Sequence, residues 1–250
     1  MKRPHKSALR APDFDQQRLP RFPSSHQTPR LVNSLQQLCS YDTVAGHDAR
    51  QLCSLFSESE WLGTEYAWDL EFWGVYGSGS PLGPAQGAGW VNEFLARLTG
   101  KPWDPRLQTS ENATLDSFSQ TFPVDRRFYV DFTHDSVISN VIAALNLPDF
   151  AASLDPSRPS ESRKYKTSEI VPFAARLVFE KVHCTGADYS SGHSKDKQLV
   201  RMLLNDAVVP LSQLKPCDAE RRADGMCSLS SFLRSQEALM QRARWDRCFE

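Results

Sequence analysis

The residues best suited to chemistry are His134 and Asp135, adjacent in the stretch FYVDFTHDSVISNVIAALNL, residues 128–147. They provide an imidazole and a carboxyl, side chains that exchange protons in many active sites. A His-Asp pair taken alone is more often a surface histidine followed by a helix-capping aspartate. The chain has a second pair, His47-Asp48, with no predicted strand before it, and that pair fits the ordinary interpretation.

The elements around His134 favour a site. Four of the five residues 128–132 are aromatic or β-branched, which predicts a short buried strand. A helix is predicted directly after the pair, from the apolar spacing i, i+3, i+4, i+7 of Ile138, Val141, Ile142 and Leu145. Ligands bind at strand ends in open α/β sheets, and the free N–H groups of a helix N-terminus suit a phosphate.

The composition is that of an ordinary globular protein. The chain has 250 residues, 40% hydrophobic and 24% charged, with a net charge of -1. This balance gives no general surface for nucleic acid, and no apolar run approaches the roughly 20 residues of a membrane span. The first residues are basic, without the apolar core of a secretory signal.

Six cysteines are present, none of them in a C-x-x-C pair, and the histidines are scattered, so no zinc site is predicted. Cys39 and Cys53 are close enough in sequence to close a local loop, as are Cys217 and Cys227. Asn112-Ala113-Thr114 is a glycosylation sequon. The cysteines and the sequon favour an oxidising compartment, in conflict with the missing signal.

Three regions are predicted along the chain. Residues 1–30 hold five of the sixteen prolines and seven Lys/Arg against two acids, and we expect a disordered leader. A nucleic-acid arm would need more stacking aromatics than the two phenylalanines present. Residues 31–118 are predicted to form a helical subdomain, and residues 119–250 an α/β core.

Local signals predict the individual elements. Short helices are expected at 31–39 and 47–56, and a third begins where Ser57 and Glu60 form a capping box. The glycine-rich segment 74–89 predicts a long loop that matches no nucleotide-binding pattern. The remaining expectations are a helix from about 88 to Gly100, a strand at 170–182, a hairpin from 199–204 and 208–211 around Asn205-Asp206, and a helix near 230–243.

Six stretches closely resemble fungal histidine acid phosphatases, above all the fungal phytases. They are LCSYDTVA (38–45), YGSGSPLGPAQGAGWVNEFLARLTG (76–100), FYVDFTHDS (128–136), IVPFAARLVFE (170–180), LVRMLLNDAVVPL (199–211) and WDRCFE (245–250). The resemblance runs in order over nearly all of residues 31–250. It implies a phosphoglycerate-mutase-like α/β domain with an additional helical subdomain.

The resemblance also implies a chemistry. The family cleaves phosphomonoesters through a phospho-histidine formed on an Arg-His-Gly-x-Arg-x-Pro motif. By this resemblance, His134 contacts the phosphoryl group and Asp135 is the general acid that protonates the leaving alkoxide. The implied partner is a small phosphate ester, no metal or cofactor is required, and the expected location is extracellular.

One departure from the family concerns the nucleophile. The motif is absent, and Arg3, His5, Arg10 and Pro12 echo it only with the wrong order and spacing. We therefore expect the chain to be the C-terminal half of a family member and to be inactive alone. The family pairs the cysteines matching Cys39 with Cys53 and Cys217 with Cys227. The partners of Cys184 and Cys248 lie in the half that is absent.

A second departure concerns the substrate. Fungal phytases often carry a basic pair where this chain has Glu71 and Phe72, and an acid there would repel a polyphosphorylated inositol. The alternative is that Glu71 is merely solvated. Two other interpretations of the whole chain stay open. One is a non-catalytic phosphate-binding or interaction remnant, and the other is a plain folded domain with His134 in the core.

Overall fold

The computed structural model describes residues 29–48, 50–102, 109, 111–184 and 198–249. The predicted leader lies outside these residues, apart from its last two positions. The helices are α1 (Pro29–Val44), α2 (Arg50–Cys53), α3 (Glu58–Val75), α4 (Gly83–Thr99), α5 (Ala113–Asp116), α6 (Asp135–Leu145), α7 (Pro148–Ala151), α8 (Thr167–Ile170), α9 (Leu229–Ser235) and α10 (Leu239–Ala243). The strands are β1 (Leu177–His183), β2 (Gln198–Leu204), β3 (Ala207–Val209) and β4 (Cys227–Ser228).

The described residues divide into two units. One consists of those up to Leu70 together with Leu154–Ser162, and the other of those in Glu71–Ser153 and Arg163–Glu250. The boundary between the predicted domains 31–118 and 119–250 stays a prediction. Within the described residues, no helix is both long enough and apolar enough to cross a bilayer.

The first unit is built on α1, α2 and most of α3. A disulfide joins Cys39 to Cys53. The buried Gln36 side chain accepts a hydrogen bond from Thr64 Oγ1 at 2.6 Å and donates one to the Glu60 carbonyl at 3.4 Å. The Glu60 half of the predicted capping box is present, because the Ser57 N–H donates to Glu60 Oε2 at 2.6 Å and α3 begins at the next residue.

The second unit is built around the contact of α4 with α6. A Cβ on Gly87 of α4 would lie 2.2 Å from the backbone oxygen of Asn140 in α6, so only glycine allows this approach. The buried Asn140 side chain donates to the Tyr76 carbonyl at 2.7 Å. Gly100 ends α4 in the left-handed conformation, as predicted, and Asn146 ends α6 in the same way.

The sheet in the second unit is antiparallel. β2 pairs with β1 along its full length, from Leu177 opposite Leu204 to His183 opposite Gln198. β3 and β4 pair with opposite ends of β2. Asn205 and Asp206 both have positive φ, the geometry of a two-residue hairpin turn, and this confirms the predicted hairpin.

An aromatic cluster joins the sheet to the helices of this unit. Phe94 of α4 lies 4.3 Å from Phe179 of β1 between ring centroids, and Phe232 of α9 packs edge-on against Phe94. A disulfide joins Cys217 to Cys227, in the pairing that the family resemblance implied. Cys184 and Cys248 are free thiols.

Several predicted bounds were wrong for physical reasons. The glycine-rich segment is a loop only from Tyr76 to Leu82, because its first residues end α3 and its later glycines lie in α4. Those later glycines face backbone or, for Gly89, the Glu111 side chain. The strand predicted at 170–182 starts at Leu177, after α8, and the last predicted helix is two helices, α9 and α10. The helix predicted at 47–56 is the single turn α2. The apolar content of the sequence predicted which segments are buried more accurately than it predicted where each helix or strand begins.

Candidate active site

Helix α6 positions the predicted pair and is firmly anchored. All seven residues from Ser139 to Leu145 are buried. The Tyr165 hydroxyl donates to Ser139 Oγ at 3.2 Å, and Asn140 is tied to the turn before α4 through Tyr76. Polar side chains inside this contact are therefore hydrogen-bonded, and the buried part of α6 holds its first turn in place.

His134 and Asp135 form the start of α6. His134 is the residue before the helix, with extended backbone (φ -106°, ψ 162°), and its imidazole makes no capping hydrogen bond. Asp135 Oδ1 accepts a hydrogen bond from the Ser136 N–H at 2.6 Å. Both residues are exposed. The interpretation that His134 points into the core is therefore wrong, and its imidazole can meet a ligand.

The segment that leads to His134 is not the predicted strand. Among the residues that the structure describes, 128–132 pair with no strand, and Phe128, Val130 and Phe132 are 80%, 55% and 96% exposed. The side chains still alternate as they would in a strand, because Tyr129 and Asp131, between these exposed residues, contact Arg97 of α4. The sequence has the composition and period of a strand, but a strand also needs a neighbour, and none of the described residues supplies one.

The side chains of Asp131 and Arg97 tie this segment to α4. Arg97 Nη1 donates to Asp131 Oδ2 at 2.8 Å, and Trp90 Nε1 donates to the same oxygen at 3.0 Å. The Arg97 guanidinium lies 4.9 Å from the Phe122 ring centroid and 5.1 Å from that of Tyr129. Charge-assisted hydrogen bonds and cation–π contacts therefore converge on one arginine.

Arg97 is surrounded by carboxyl groups. Its Nη2 lies 3.4 Å from Glu93 Oε2, one helical turn earlier. Burial, together with the charges of Asp116, Glu111 and Asp131, raises the pKa of Glu93 to about 7, although Arg97 opposes the rise. Burial also raises the pKa of Asp116. The described residues contain no group of three His, Cys, Asp or Glu arranged to hold a metal. Arg97 provides positive charge among these carboxyl groups.

The other predicted residues lie apart from this geometry. Glu71 is exposed on α3, whereas Phe72 is buried, with its ring 5.3 Å from that of Tyr76. Their contact with substrate stays a prediction. Asn112 is exposed and caps α5, because its Oδ1 accepts from the Thr114 N–H at 3.1 Å. Its glycosylation also stays a prediction.

Comparison with known proteins decides the family. A sequence model of the Histidine phosphatase superfamily (branch 2) matches residues 5–205. This chain belongs to that family. It is 38% identical to Phytase A of Aspergillus fumigatus over 250 residues, which cover 97% of this chain and 50% of that protein. It is 36% identical to Phytase A of Emericella nidulans and 34% identical to that of Aspergillus oryzae, covering 91% of this chain and 47% of each relative.

The family resemblance seen in the sequence is thus confirmed, and the fold is that of the histidine phosphatase family, with mixed helices and an antiparallel sheet. The chain spans about half the length of the curated relatives it matches. Sequence reasoning missed Trp90, Arg97 and Asp131. Trp90, Glu93 and Arg97 recur at i, i+3, i+7, a polar and aromatic stripe on an otherwise apolar helix that could have drawn attention.

Proposed function

We propose that this chain carries the phosphate-contacting imidazole, His134, and the general acid, Asp135, of a phosphomonoester hydrolase of the histidine acid phosphatase type. The observation that carries the proposal is their exposure at the first turn of the anchored helix α6. Membership of the family and the Phytase A relatives support the same chemistry. A helix N-terminus also favours an anion.

The proposed reaction has two steps. A nucleophilic histidine attacks phosphorus, the P–O ester bond breaks, and Asp135 gives its proton to the departing alkoxide. Water then attacks the phospho-histidine, releases inorganic phosphate and returns a proton to the carboxylate. The Arg-His-Gly-x-Arg-x-Pro motif is absent from these 250 residues, so we assign the nucleophile to residues outside them and expect no turnover by this chain alone.

The experiment restores the nucleophile from outside. The chain is combined with a polypeptide that carries the motif segment of a family member, and hydrolysis is followed with two substrates. p-Nitrophenolate leaves without a proton, whereas an alkyl alkoxide needs one. Asp135→Asn is therefore expected to slow glycerol phosphate hydrolysis by about 10² to 10⁴ and p-nitrophenyl phosphate hydrolysis much less.

The matched control is Asp149→Asn, which changes another exposed aspartate in a helix first turn, that of α7. It is expected to leave both rates unchanged. Equal losses on the two substrates in Asp135→Asn would remove the general-acid role. Hydrolysis of glycerol phosphate by the 250-residue chain alone, slowed by Asp135→Asn to the same extent, would overturn the assignment of the nucleophile to other residues.

The proposed substrates are simple phosphomonoesters, handled at least as well as phytate. This rests on the exposed carboxylate of Glu71, where fungal phytases often carry a basic pair, because it would repel a polyphosphorylated inositol. We also propose an extracellular location, which the two disulfides support because disulfides persist in oxidising compartments.

A second candidate is a non-catalytic phosphate-binding or interaction remnant of the family. The absence of the nucleophile motif from the 250 residues favours it. It predicts that His134 binds phosphate and that no motif segment, when supplied, restores turnover. Turnover that depends on Asp135 would exclude this candidate.

A further inference from the structure

The segment before His134 has no backbone support of its own. Within the described part of the chain, residues 123–133 make no hydrogen bond between backbone groups. Phe128, Val130 and Phe132 project into solvent, so they do not fix the segment either. The position of His134 therefore depends on the helix that follows it and on the side chains that hold the segment preceding it.

Val124 packs against Ala96 and Phe122 at the start of the segment, and nearer to His134 the side chains that hold it are Tyr129 and Asp131. Asp131 lies three residues before His134, a span of about 10 Å at most. Its Oδ2 accepts from both Arg97 Nη1 and Trp90 Nε1, and the Tyr129 ring lies over the same guanidinium. Arg97 is only 17% exposed at its side chain, so this ion pair is shielded from water on the arginine side.

We propose that Trp90, Arg97 and Asp131, here termed the Arg97 clamp, are positioning residues for His134 and Asp135. The inference rests on the proposed function. The clamp does not touch the phosphoryl group. It fixes the chain on the N-terminal side of the pair, as α6 fixes it on the other side. Displacing a phosphate-binding group by about 1 Å can cost about 10² in activity.

An arginine is suited to this role. Its planar guanidinium donates to Asp131 and, in another direction, to Glu93 at 3.4 Å, while its faces contact two aromatic rings. A lysine provides a point charge without that geometry. Arg97 also offsets the carboxyl groups of Glu93, Glu111, Asp116 and Asp131, which would otherwise repel one another.

The test measures the affinity of the whole chain for inorganic phosphate, followed through the NMR signal of the His134 imidazole, together with the melting temperature. Asp131→Ala is expected to weaken phosphate binding at least tenfold. Asp131→Asn retains an oxygen that Trp90 and Arg97 can reach, and should stay within about threefold of wild type. Trp90→Phe keeps an aromatic ring but loses the Nε1 donor, so its phosphate affinity should lie between those of the two Asp131 variants.

The control is Glu180→Gln, which removes the charge from the cross-strand ion pair with Arg201, at 2.5 Å, in the sheet. It should leave phosphate affinity unchanged. An Asp131→Ala variant that binds phosphate like the wild type would overturn the proposal. If Asp131→Ala fails to fold, Trp90→Phe decides in its place, since unchanged affinity there would also overturn it.

A second readout separates this inference from the proposed function. If His134 of the wild type does not bind phosphate, the proposed function fails, and the order of residues 129–135 is then measured by backbone ¹⁵N relaxation. If the Arg97 clamp positions this segment, the backbone order of residues 129–135 should equal that of α6 in the wild type and in Glu180→Gln. It should fall in Asp131→Ala and Trp90→Phe. Unchanged order in the clamp variants would refute positioning directly.

Discussion

Helix α6 and the segment 123–133 are neighbours in the chain but are held by different forces. α6 is fixed by apolar burial, by the glycine contact with α4 and by the hydrogen bonds of Asn140. The segment is fixed through the side chains of Val124, Tyr129 and Asp131, while Phe128, Val130 and Phe132 are exposed. We therefore expect the stability of the fold and the placement of the candidate site to depend on different residues, and substitutions should separate the two effects.

The largest contrast is expected between two truncations. Ile142 of α6 is 1% exposed and Phe132 is 96% exposed. Ile142→Ala should lower the free energy of unfolding by about 3–4 kcal/mol, through lost burial and a cavity. Phe132→Ala should change it by less than about 0.5 kcal/mol. Urea denaturation of both variants measures this, and similar losses would remove the distinction between the two regions.

The glycine contact provides the next test. Gly87→Ala places a methyl group against the Asn140 backbone and should cost about 2–3 kcal/mol of unfolding free energy. Gly74→Ala, in α3, is the matched control, because a Cβ at Gly74 would meet nothing within 4 Å. It should stabilise the chain by up to about 1 kcal/mol, since alanine favours a helix more than glycine does. A Gly87→Ala variant as stable as the control would mean that α4 and α6 are not in close contact.

The carboxyl groups around Arg97 predict a pH dependence. The pKa of Glu93 is raised in the folded chain from 4.5 to about 7, so folding favours its protonated form. That contribution is fully present below about pH 4.5 and is lost as pH rises through about 7. We expect a loss of about 1–2 kcal/mol between these values, reduced from the full linkage because the side chain is partly solvated.

Glu93→Gln should abolish this share of the pH dependence, while Glu237→Gln, at an exposed site, should preserve it. The measurement is urea denaturation at pH 4.5 and pH 7.5. A wild-type chain whose stability rose over this range, with Glu93→Gln behaving identically, would contradict the assignment of the buried proton to Glu93.

The smallest effect is expected at Glu71, which lies outside both regions. Glu71→Lys should raise the affinity for inositol hexakisphosphate about threefold at low salt and leave inorganic phosphate binding unchanged, because only the larger ligand has distant charges. Glu237→Lys makes the same charge change at another exposed position. Equal gains in both variants would indicate general charge attraction, with no part for Glu71 in substrate choice.

What the sequence revealed differs between the two regions for a physical reason. The period of Ile138 to Leu145 predicted α6 because a helix makes its own backbone hydrogen bonds. Asn205-Asp206 predicted the hairpin because both strands are in the described chain. Residues 128–132 have equally strong strand composition, yet a strand is completed only by a neighbour, and composition cannot report whether one is present.

Likewise, only part of the candidate site could be predicted from the sequence. His134 and Asp135 are adjacent and lie at a helix start, so local sequence was enough to propose them as candidates. Asp131 and Arg97 are 34 residues apart, and their contact at 2.8 Å depends on how α4 packs. The role of glycine in α4 was misjudged because glycine in a loop and glycine at a helix contact look alike in sequence.

The most direct test of the central claim is an NMR titration of the 250-residue chain with inorganic phosphate, following the imidazole signals. His134, His47 and His183 are all exposed, so the last two are internal controls for general ion effects. We expect the His134 signal to move saturably while the signals of His47 and His183 do not, and we expect His134→Asn to remove phosphate binding while His47→Asn keeps it. A His134 signal that follows the two controls would contradict a phosphate site at the start of α6.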